Sequence, residues 1–532
     1  MSTTEPRRTI SLLRVPPIRD YGAPEWFERL PGWLSTGGVL VVLLAISGFI
    51  RVHYLDGQYW SDEANTVGIA SHSFFSIPGI LWQGGGAPLY FFLLHFWIDG
   101  FGASEIATHA LSVLIGLVSI PVGMWLGWSL FGRRAGFMLA LLLAFNAFFT
   151  RYAEETRMYE LMALLGLLAT GGFLHAFVYR RRRYLWLFGV SLVLMVYTDA
   201  WGFFFWAAAA VALGVVACLG EDRRGLLLDG LLCFGGALIA YVPWLPTLIH
   251  QALHATAPWH FVPLLGANVP RQLLGSDRVD AVLALAVVAG LIPLFGGRAR
   301  RSPEVVSVWA LVVISVTALA LSAIVSLAAP TWVARYFGPI VAPLLLLAAL
   351  ACTRSGIFGL VAVVVSCVFL ANPASFIPTY KSDMRDVAAE VQGDLHRDDL
   401  VIVAQPEQAA LAWYYLPGGL RYATMLGPDS HPSYMDWDGA LGKLQRADPS
   451  VVLAGLVSSL APGQHLLFIR PLTEGVKQWH QPWSQLVRRR AAQWSAALAD
   501  DPALEPVPGG LAPHYYRGSC CVSSSAMVFT KR

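Results

Sequence analysis

Long apolar runs separated by short polar segments organise residues 34–376 of the chain. A run of about 20 apolar residues is long enough to cross a bilayer as a helix. The pattern therefore predicts about eleven membrane-spanning helices. They fall near residues 34–52, 105–130, 136–150, 157–178, 184–198, 200–219, 226–249, 279–296, 305–328, 335–352 and 356–372.

Arginine clusters fall on alternate connections between these runs. If the N-terminus is cytoplasmic, every predicted inside loop carries arginine, whereas the outside segments carry few arginines and mix them with acids. Arginine-rich loops are typical of the cytoplasmic side, so the pattern predicts an orientation as well as a number of helices. The inside loops are 131–136, 179–184, 221–225, 296–304 and 352–356, and the outside segments are 53–104, 151–157, Asp199, 250–278 and 329–335.

This orientation requires that the apolar run 87–99 does not cross the membrane. The run is too short to span comfortably, and we predict a re-entrant or interfacial helix there. The polar leader 1–33 is predicted to be cytoplasmic, with 24–33 (PEWFERLPGW) as an interfacial segment that is anchored by aromatic side chains.

The chain changes character after the last apolar run. We predict that 34–376 forms a transmembrane domain and that 377–532 forms a soluble α/β domain outside the cytoplasm. Predicted helices lie in 384–399 and 406–416, and predicted strands are 400–405, 450–457 and 465–472. The sequence of this domain contains no glycine-rich phosphate loop.

Composition supports a membrane protein. Hydrophobic residues make up 56% of the 532 residues and charged residues only 13%, against about a quarter in soluble domains. A net charge of +3 is too small to suggest a nucleic-acid partner. The abundance of Arg, Ala and Gly suggests a bacterial source. Cys218, Cys233, Cys352 and Cys367 lie in apolar runs, and no disulfide is expected between the adjacent Cys520 and Cys521.

Three polar segments interrupt this apolar chain: 59–68 (YWSDEANTVG), 151–161 (RYAEETRMYEL) and 332–343 (WVARYFGPIVAP). Each has a local structural interpretation. Ser61 can cap a helix, the acids and arginines of 151–157 are spaced to pair along a helix, and Arg335 can anchor at the interface. All three segments fall on the same predicted side, which instead favours an active site facing outside the cytoplasm.

These segments together resemble the GT-C glycosyltransferases, in the branch that contains protein O-mannosyltransferases and the lipid A aminoarabinose transferase. The resemblance rests on YWSDEA, on 84–122, on FGRRAG at 131–136, on RYAEETRMYEL and on ARYFGPIVAP at 334–343, and it covers about residues 34–372. It implies transfer of one sugar from a polyprenyl-phosphate carrier to an acceptor on the outer face of the membrane. A single displacement would invert the anomeric carbon. For the bacterial cell membrane that the composition suggests, mannose and arabinose are the expected sugars, and the acceptor is expected to be a glycan, a lipid or a protein.

The resemblance also implies roles for residues. The first-loop acid is the general base in this family; Asp62 occupies the matching position, and Glu63 remains the neighbouring candidate. The leaving lipid phosphate calls for fixed cations rather than a strong acid. The candidates for phosphate binding are Arg335, Tyr336, Arg157, Arg271, His250 and His53, and those for acceptor or sugar binding are Glu154, Glu155, Tyr152 and Tyr59.

Two departures from the family pattern matter. The first loop lacks the lysine that contacts carrier phosphate in the aminoarabinose transferase pattern, so an Arg or His from elsewhere is expected to substitute. The second outside loop has two adjacent glutamates where relatives often have a single acid.

Asp62, Glu63, Glu154 and Glu155 offer oxygen ligands for Mg²⁺ or Mn²⁺, but a metal is not expected as a required cofactor.

Two other classes of function stay open from the sequence. A secondary transporter or lipid flippase would show inverted repeats and ionisable residues at the middle of the membrane, and no repeat is evident in the sequence. A non-catalytic scaffold would use the soluble domain to bind a partner.

Overall fold

A computed structural model of the chain describes residues 32–220, 222–254, 271, 273–295, 302–328, 332–371, 381–472, 482–507 and 523–532. Most of the predicted interfacial segment 24–33, residues 255–270 of the loop 250–278, and both Cys520 and Cys521 lie outside the described residues.

The described residues up to residue 371 are almost wholly helical. Its main helices are α1 Gly32–Arg51, α2 Ser61–Ala70, α3 Ile77–Gly84, α4 Pro88–Phe101, α5 Glu105–Phe131, α6 Arg133–Phe145, α7 Ala147–Tyr152, α8 Tyr159–Phe173, α9 Leu185–Thr198, α10 Gly202–Leu219, α11 Arg223–Tyr241, α12 Leu245–His254, α13 Asp277–Phe295, α14 Pro303–Ala328, α15 Gly338–Arg354 and α16 Ile357–Leu370.

Every predicted apolar run contains a helix, and the chain is a polytopic, mainly helical membrane protein. Six helical segments in the described part of the chain are long and apolar enough to cross a membrane. The larger number of spans expected from the sequence stays a prediction. The six segments are Glu105–Phe131, Tyr159–Val178, Gly202–Leu219, Arg223–His254, Pro303–Ala328 and Ala334–Arg354.

Asn146 breaks the predicted run 136–150 into α6 and α7. Its side-chain oxygen accepts hydrogen bonds from the backbone N–H groups of Phe148 and Phe149, which caps the new helix. This short second helix leads directly into the polar segment 151–161, so the break positions that segment.

Residues 381–532 contribute a six-stranded mixed sheet in the order β3-β2-β1-β4-β6-β5. β1 pairs in parallel with β2 and β4, and the other pairings are antiparallel. The strands are β1 Leu400–Val403, β2 Arg421–Thr424, β3 Gly427–Asp429, β4 His465–Pro471, β5 Leu504–Pro506 and β6 Ser524–Lys531, and the helices are α17 Met384–Val391, α18 Ala409–Tyr415, α19 Ala440–Arg446, α20 Pro449–Ser458 and α21 Pro482–Ala499.

The expected strand 450–457 is wrong, because this segment forms α20. Asp448 accepts a hydrogen bond from the backbone N–H of Ser450 at 2.9 Å, and Pro449 occupies the first helical position. Both are strong signals for a helix start, and they outweigh the strand preference of the two adjacent valines.

The C-terminal region packs directly on the first polar segment. Tyr59 donates its backbone N–H to the Tyr415 hydroxyl at 2.9 Å. The Gln58 side chain donates to Asp386 and accepts from the Arg385 backbone N–H, each at 2.9 Å. Helix α18 lies against α2 along the same surface. The sheet region therefore helps to fix the start of α2, where the candidate acids lie.

Candidate active site

The three polar segments converge on the carboxylate of Asp62. Asp62 Oδ2 lies 3.6 Å from Arg335 Nη2 and 4.0 Å from Arg157 Nη2. The Asp62 side chain is 34% exposed. It is therefore open to an incoming molecule, although it is paired with two cations. It also occupies the first turn of α2, where the helix dipole favours negative charge.

The start of α2 differs from the sequence-based expectation. Trp60, rather than Ser61, occupies the N-cap position, so the expectation that Ser61 caps this helix is wrong. The Trp60 backbone N–H donates to Glu63 Oε2 at 3.3 Å, which satisfies one of the free donors at the helix start. Glu63 therefore holds the helix start in place, and Asp62 beside it points to the arginines.

Arg157 lies in a turn between α7 and α8 rather than in a helix. It donates from Nη1 to Thr66 Oγ1 at 2.6 Å, and its guanidinium lies over the Tyr159 ring. The local pairing with Glu154 that its spacing suggested would need a helix, and the interpretation of this segment as a charged helix start is wrong. Arg157 instead connects its turn to α2.

Arg335 lies in a short 3₁₀ helix, Ala334–Phe337, that precedes α15. Its guanidinium lies over the Trp60 ring, 5.0 Å from the centroid, and over the Tyr336 ring. Tyr336 in turn stacks on Trp201 with the ring centroids 5.1 Å apart. These aromatic contacts orient Arg335, and its buried Nε has no hydrogen-bond partner in the described part of the chain. The guanidinium therefore keeps an unused donor.

Glu63 is enclosed and anchored. Its Oε1 accepts from the Thr156 backbone N–H at 2.7 Å and lies 2.7 Å from His109 Nε2, and its Oε2 accepts from Lys381 Nζ at 2.6 Å. Burial raises the pKa of Glu63, but Lys381 and His109 outweigh it and hold that pKa well below its usual range. A carboxylate with no exposed surface and a lowered pKa is a poor general base, so the geometry favours Asp62 for that role.

Lys381 is a site residue that the sequence analysis missed. It comes from the C-terminal region, and it donates to Glu63 and to the backbone oxygen of Glu154 at 2.6 Å. The expectation that only an Arg or His would replace the absent first-loop lysine overlooked it. One signal in the sequence pointed to it: Lys381 is the first of only four lysines in a chain that otherwise uses arginine.

Glu154 and Glu155 form an acidic pair beside this cluster. Burial, helped by the charges of Glu155 and Glu63 and opposed by Lys381, raises the pKa of Glu154 to about 7. Burial also raises the pKa of Glu155, whose Oε2 has no hydrogen-bond partner in the described residues. Carboxyl groups that hold protons near neutral pH can donate as well as accept hydrogen bonds to sugar hydroxyls.

Asp199 is a second residue that the sequence analysis did not select for the site. Burial raises its pKa to about 6, against the opposing effects of the Trp201 backbone N–H and of Arg157 and Arg335. Asp199 follows α9, far along the chain from Asp62 and from Glu155. It is close enough to Arg157 and Arg335 for their charges to act on it.

The structure does not support a binding role for Tyr59, because this side chain is fully buried and its hydroxyl donates to the backbone oxygen of Ala103. Tyr152 is 8% exposed and packs against Phe148 and Tyr159, so it offers little surface to a sugar. Both tyrosines support the site from within the core.

Three of the six phosphate-binding candidates, Arg271, His250 and His53, make other contacts. The exposed Arg271 forms an ion pair with Asp277, with 3.8 Å between Nη1 and Oδ2. His250 stacks on Trp82 with the ring centroids 4.4 Å apart, and also on His254. His53 packs edge-on against Tyr54. In the described part of the chain, the structure brings Arg157 and Arg335 to Asp62. Arg271, His250 and His53 have different partners.

Two of the four acids considered as oxygen ligands form ion pairs with fixed cations. Asp62 faces Arg157 and Arg335, and Glu63 faces Lys381. A divalent ion placed among them would be repelled by these charges, so the arrangement fits charge stabilisation by side chains better than by Mg²⁺ or Mn²⁺. No cofactor is established for this chain.

No protein-family model matches the sequence, and a sequence comparison with curated proteins finds no match. Solved structures do match. ArnT from Cupriavidus metallidurans in the apo state has a TM-score of 0.58 and 14% identity, and the match covers 93% of this chain and 98% of that one. The same enzyme bound to undecaprenyl phosphate has a TM-score of 0.50 and 16% identity, covering 94% and 98%.

Two further solved structures match over most of this chain. The oligosaccharyltransferase of Archaeoglobus fulgidus in the apo form has a TM-score of 0.52 and 12% identity, with 84% of this chain and 70% of that chain covered. The arabinofuranosyltransferase AftD from Mycobacteria has a TM-score of 0.52 and 13% identity, with 92% and 41% covered. All these proteins are membrane glycosyltransferases of the GT-C superfamily. The chain therefore has the GT-C fold, as its resemblance to that family implied.

Proposed function

We propose that this chain is a glycosyltransferase that moves a single sugar from a polyprenyl-phosphate donor to an acceptor by one inverting displacement. The observation that carries the proposal is the position of Asp62, an accessible carboxylate within 3.6 Å of Arg335 and 4.0 Å of Arg157. A general base next to fixed cations is what attack on a sugar with a lipid-phosphate leaving group requires. The GT-C fold, and the undecaprenyl phosphate bound to ArnT, support the choice of reaction and carrier.

Asp62 acts as the general base in this proposal. The acceptor hydroxyl gives its proton to Asp62 while its oxygen forms a bond to the anomeric carbon. The bond from that carbon to the phosphate oxygen breaks with its electron pair, and polyprenyl phosphate leaves from the opposite face. One displacement of this kind inverts the configuration at the anomeric carbon.

Arg335 and Arg157 bind the donor phosphate. Arg335 is oriented by Trp60 and Tyr336, and its Nε–H has no partner among the described residues, while Arg157 is fixed by Thr66. A phosphate that binds these guanidinium groups competes with Asp62 for them, and this frees a lone pair of Asp62 for the acceptor proton. The same contacts stabilise the charge that develops on the leaving phosphate.

Glu154 and Glu155 bind hydroxyl groups of the sugar or the acceptor. Their raised pKa values favour protonated carboxyl groups, which can donate as well as accept hydrogen bonds. Lys381 fixes the backbone of Glu154 and the side chain of Glu63, so the acidic pair and the start of α2 keep a constant spacing.

The arginine distribution along the chain supports a site on the outer face of the bacterial cell membrane. Residues 377–532 would then form an extracytoplasmic α/β domain on a transmembrane domain of 34–376, with 1–33 in the cytoplasm. The donors proposed from the bacterial composition of the chain carry mannose or arabinose, and the proposed acceptor is a glycan, a lipid or a protein.

A transfer assay tests this function. The purified protein in lipid nanodiscs is incubated with a panel of polyprenyl-phosphate sugars and membrane-derived acceptors, and released polyprenyl phosphate and glycosylated product are measured by mass spectrometry. The proposal expects release from at least one donor together with an equal amount of product. Movement of labelled lipid across proteoliposomes without sugar transfer would instead support a flippase.

A further inference from the structure

Two histidines and one aspartate meet at one edge of the sheet, away from the proposed transfer site. Asp399 directly precedes β1, His465 is the first residue of β4, and His396 lies three residues before Asp399. β1 and β4 run in parallel with Leu400 opposite Leu466, so the two strand starts lie side by side. We propose that His396, Asp399 and His465 bind a zinc ion.

The spacing of the three side chains suits such an ion. Asp399 Oδ2 lies 3.3 Å from His465 Nδ1 and 3.8 Å from His396 Nδ1. All three donor atoms lie within 4.8 Å of one another. Ligands at about 2.0–2.2 Å from a tetrahedral zinc are separated by roughly 3.3–3.6 Å, so small movements bring these atoms into coordination.

Asp399 is held in place as a buried ligand. Its side chain is 3% exposed. Oδ2 accepts from the His396 backbone N–H at 2.7 Å, and Oδ1 accepts from the His465 backbone N–H at 2.8 Å. These bonds orient the carboxylate without using all its lone pairs. Such support of a ligand by a second layer of hydrogen bonds is typical of metal sites.

An ordinary His–Asp hydrogen bond does not account for the arrangement. His465 Nδ1 is buried and has no hydrogen-bond partner in the described part of the chain, although it faces Asp399. The rings of His396 and His465 stack at 27° with centroids 5.5 Å apart, and both Nδ1 atoms approach the same carboxylate oxygen. A cation bound by both ring nitrogens and by this carboxylate oxygen would account for the arrangement.

The donor set selects the class of ion. Two imidazoles and one carboxylate suit zinc, whereas Mg²⁺ and Ca²⁺ prefer oxygen ligands alone. His396 is 72% exposed, which gives an ion a route of entry to the site.

The position of the site indicates a structural role. It lies at the amino ends of β1 and β4, whereas Glu407, which follows the carboxyl end of β1, is close enough to Asp62 to be affected by its charge. An ion at the amino ends therefore ties the two central strands together without taking part in sugar transfer.

Zinc content tests the proposal directly. The full chain in nanodiscs is stripped with a chelator and dialysed against Zn²⁺, and bound metal is measured by mass spectrometry. We expect His396→Gln and His465→Ala to bind one zinc per chain fewer than the unaltered protein. His431→Gln is the control, because His431 is an exposed histidine in the same region that hydrogen-bonds to Ser430.

A second measurement distinguishes loss of the zinc site from loss of folding in a variant. Zn²⁺ is expected to raise the unfolding temperature of the unaltered protein and of His431→Gln, and not that of His396→Gln, which alters a side chain that is 72% exposed. Equal zinc content and equal thermal shifts in all the variants would overturn the proposal. Zinc binding that is lost in Asp62→Asn but kept in His396→Gln would overturn it too, since the ion would then lie at the transfer site.

Discussion

Lys381 Nζ lies 2.6 Å from Glu63 Oε2, so a lysine of the C-terminal region and an acid of the first polar segment form an ion pair across 318 residues of sequence. Glu63 is adjacent to Asp62 and has no exposed surface. The ion pair thus fixes the helix turn that presents the proposed base, and it makes the position of Asp62 depend on the C-terminal region.

Replacing Lys381 with methionine should destabilise the protein. The change leaves the buried Glu63 carboxylate short of one cation, and removing one partner of a buried pair costs about 3–5 kcal/mol. The free energy of unfolding of the chain in detergent checks this. The double variant Lys381→Met/Glu63→Gln should recover part of the loss.

Lys443→Met is the matched control, because Lys443 pairs with Asp436 at an exposed surface, where such a pair contributes about 0–1 kcal/mol. If the two methionine variants lose the same stability, Lys381 is not a structural anchor.

Gly68 should not accept a larger residue. A Cβ atom at Gly68 would lie 1.7 Å from the backbone oxygen of Ser433, where the C-terminal region meets α2. Overpacking of this kind costs about 1–3 kcal/mol, and here it also pushes the two regions apart. We expect Gly68→Ala to lower both the unfolding temperature and the transfer rate.

Gly79→Ala is the comparison for this change, since a Cβ atom there has no atom within 4 Å. It should leave both quantities near their original values. If Gly68→Ala leaves the unfolding temperature and the transfer rate unchanged, the close approach of the two regions is contradicted.

Arg335 should determine both the rate of sugar transfer and how tightly the donor binds. Arg335→Ala removes a guanidinium that faces Asp62, and loss of one such charge-stabilising group costs about 10²–10³-fold in kcat. Arg335→Lys should keep the charge and lose the planar stacking on Trp60, with a smaller loss and a raised KM for the donor. Steady-state kinetics at varied donor concentration measures both.

Arg446→Ala, at an exposed position on α19, is the control for the loss of an arginine. An Arg335→Ala enzyme with unchanged kcat and donor KM would remove Arg335 from the proposed phosphate site.

Glu154 should make folding stability depend on pH. Its pKa is about 7 in the folded chain, above the usual value of about 4.3 for an unfolded chain. The folded state therefore binds this proton more tightly, and stability falls as pH rises from about 4.3 to 7. Glu154→Gln cannot titrate, and its stability should decline less over this range.

Glu505→Gln, which alters an exposed glutamate, should keep the decline of the unaltered protein. Unfolding temperatures between pH 4 and pH 8 provide the comparison. If Glu154→Gln has the same slope as the unaltered protein, Glu154 does not hold a proton at neutral pH.

The sequence was sufficient for features that depend on local pattern. Long apolar runs located the membrane helices, and short continuous apolar runs located β1 and β4. The prediction failed at 450–457, where adjacent valines suggested a strand and the start signals of Asp448 and Pro449 produced a helix. Intrinsic strand preference is weak beside a well-formed helix cap.

Contacts between distant segments were beyond the sequence. Nothing local in Glu63 distinguishes a buried anchor from a base, because its role depends on His109 and on Lys381, which lie 46 and 318 residues away. The arginines of the site were found because charge is rare in such a chain and therefore conspicuous.

The most direct test of the account is sugar transfer by Asp62→Asn compared with Asp56→Asn. Both replace an aspartate of the predicted outside segment 53–104 by its neutral isostere. Only Asp62 lies between Arg335 and Arg157, whereas the Asp56 side chain is exposed. If Asp62 is the general base, Asp62→Asn stays folded and loses about 10²–10⁴-fold in kcat, while Asp56→Asn keeps its activity. Full transfer by Asp62→Asn would contradict that role.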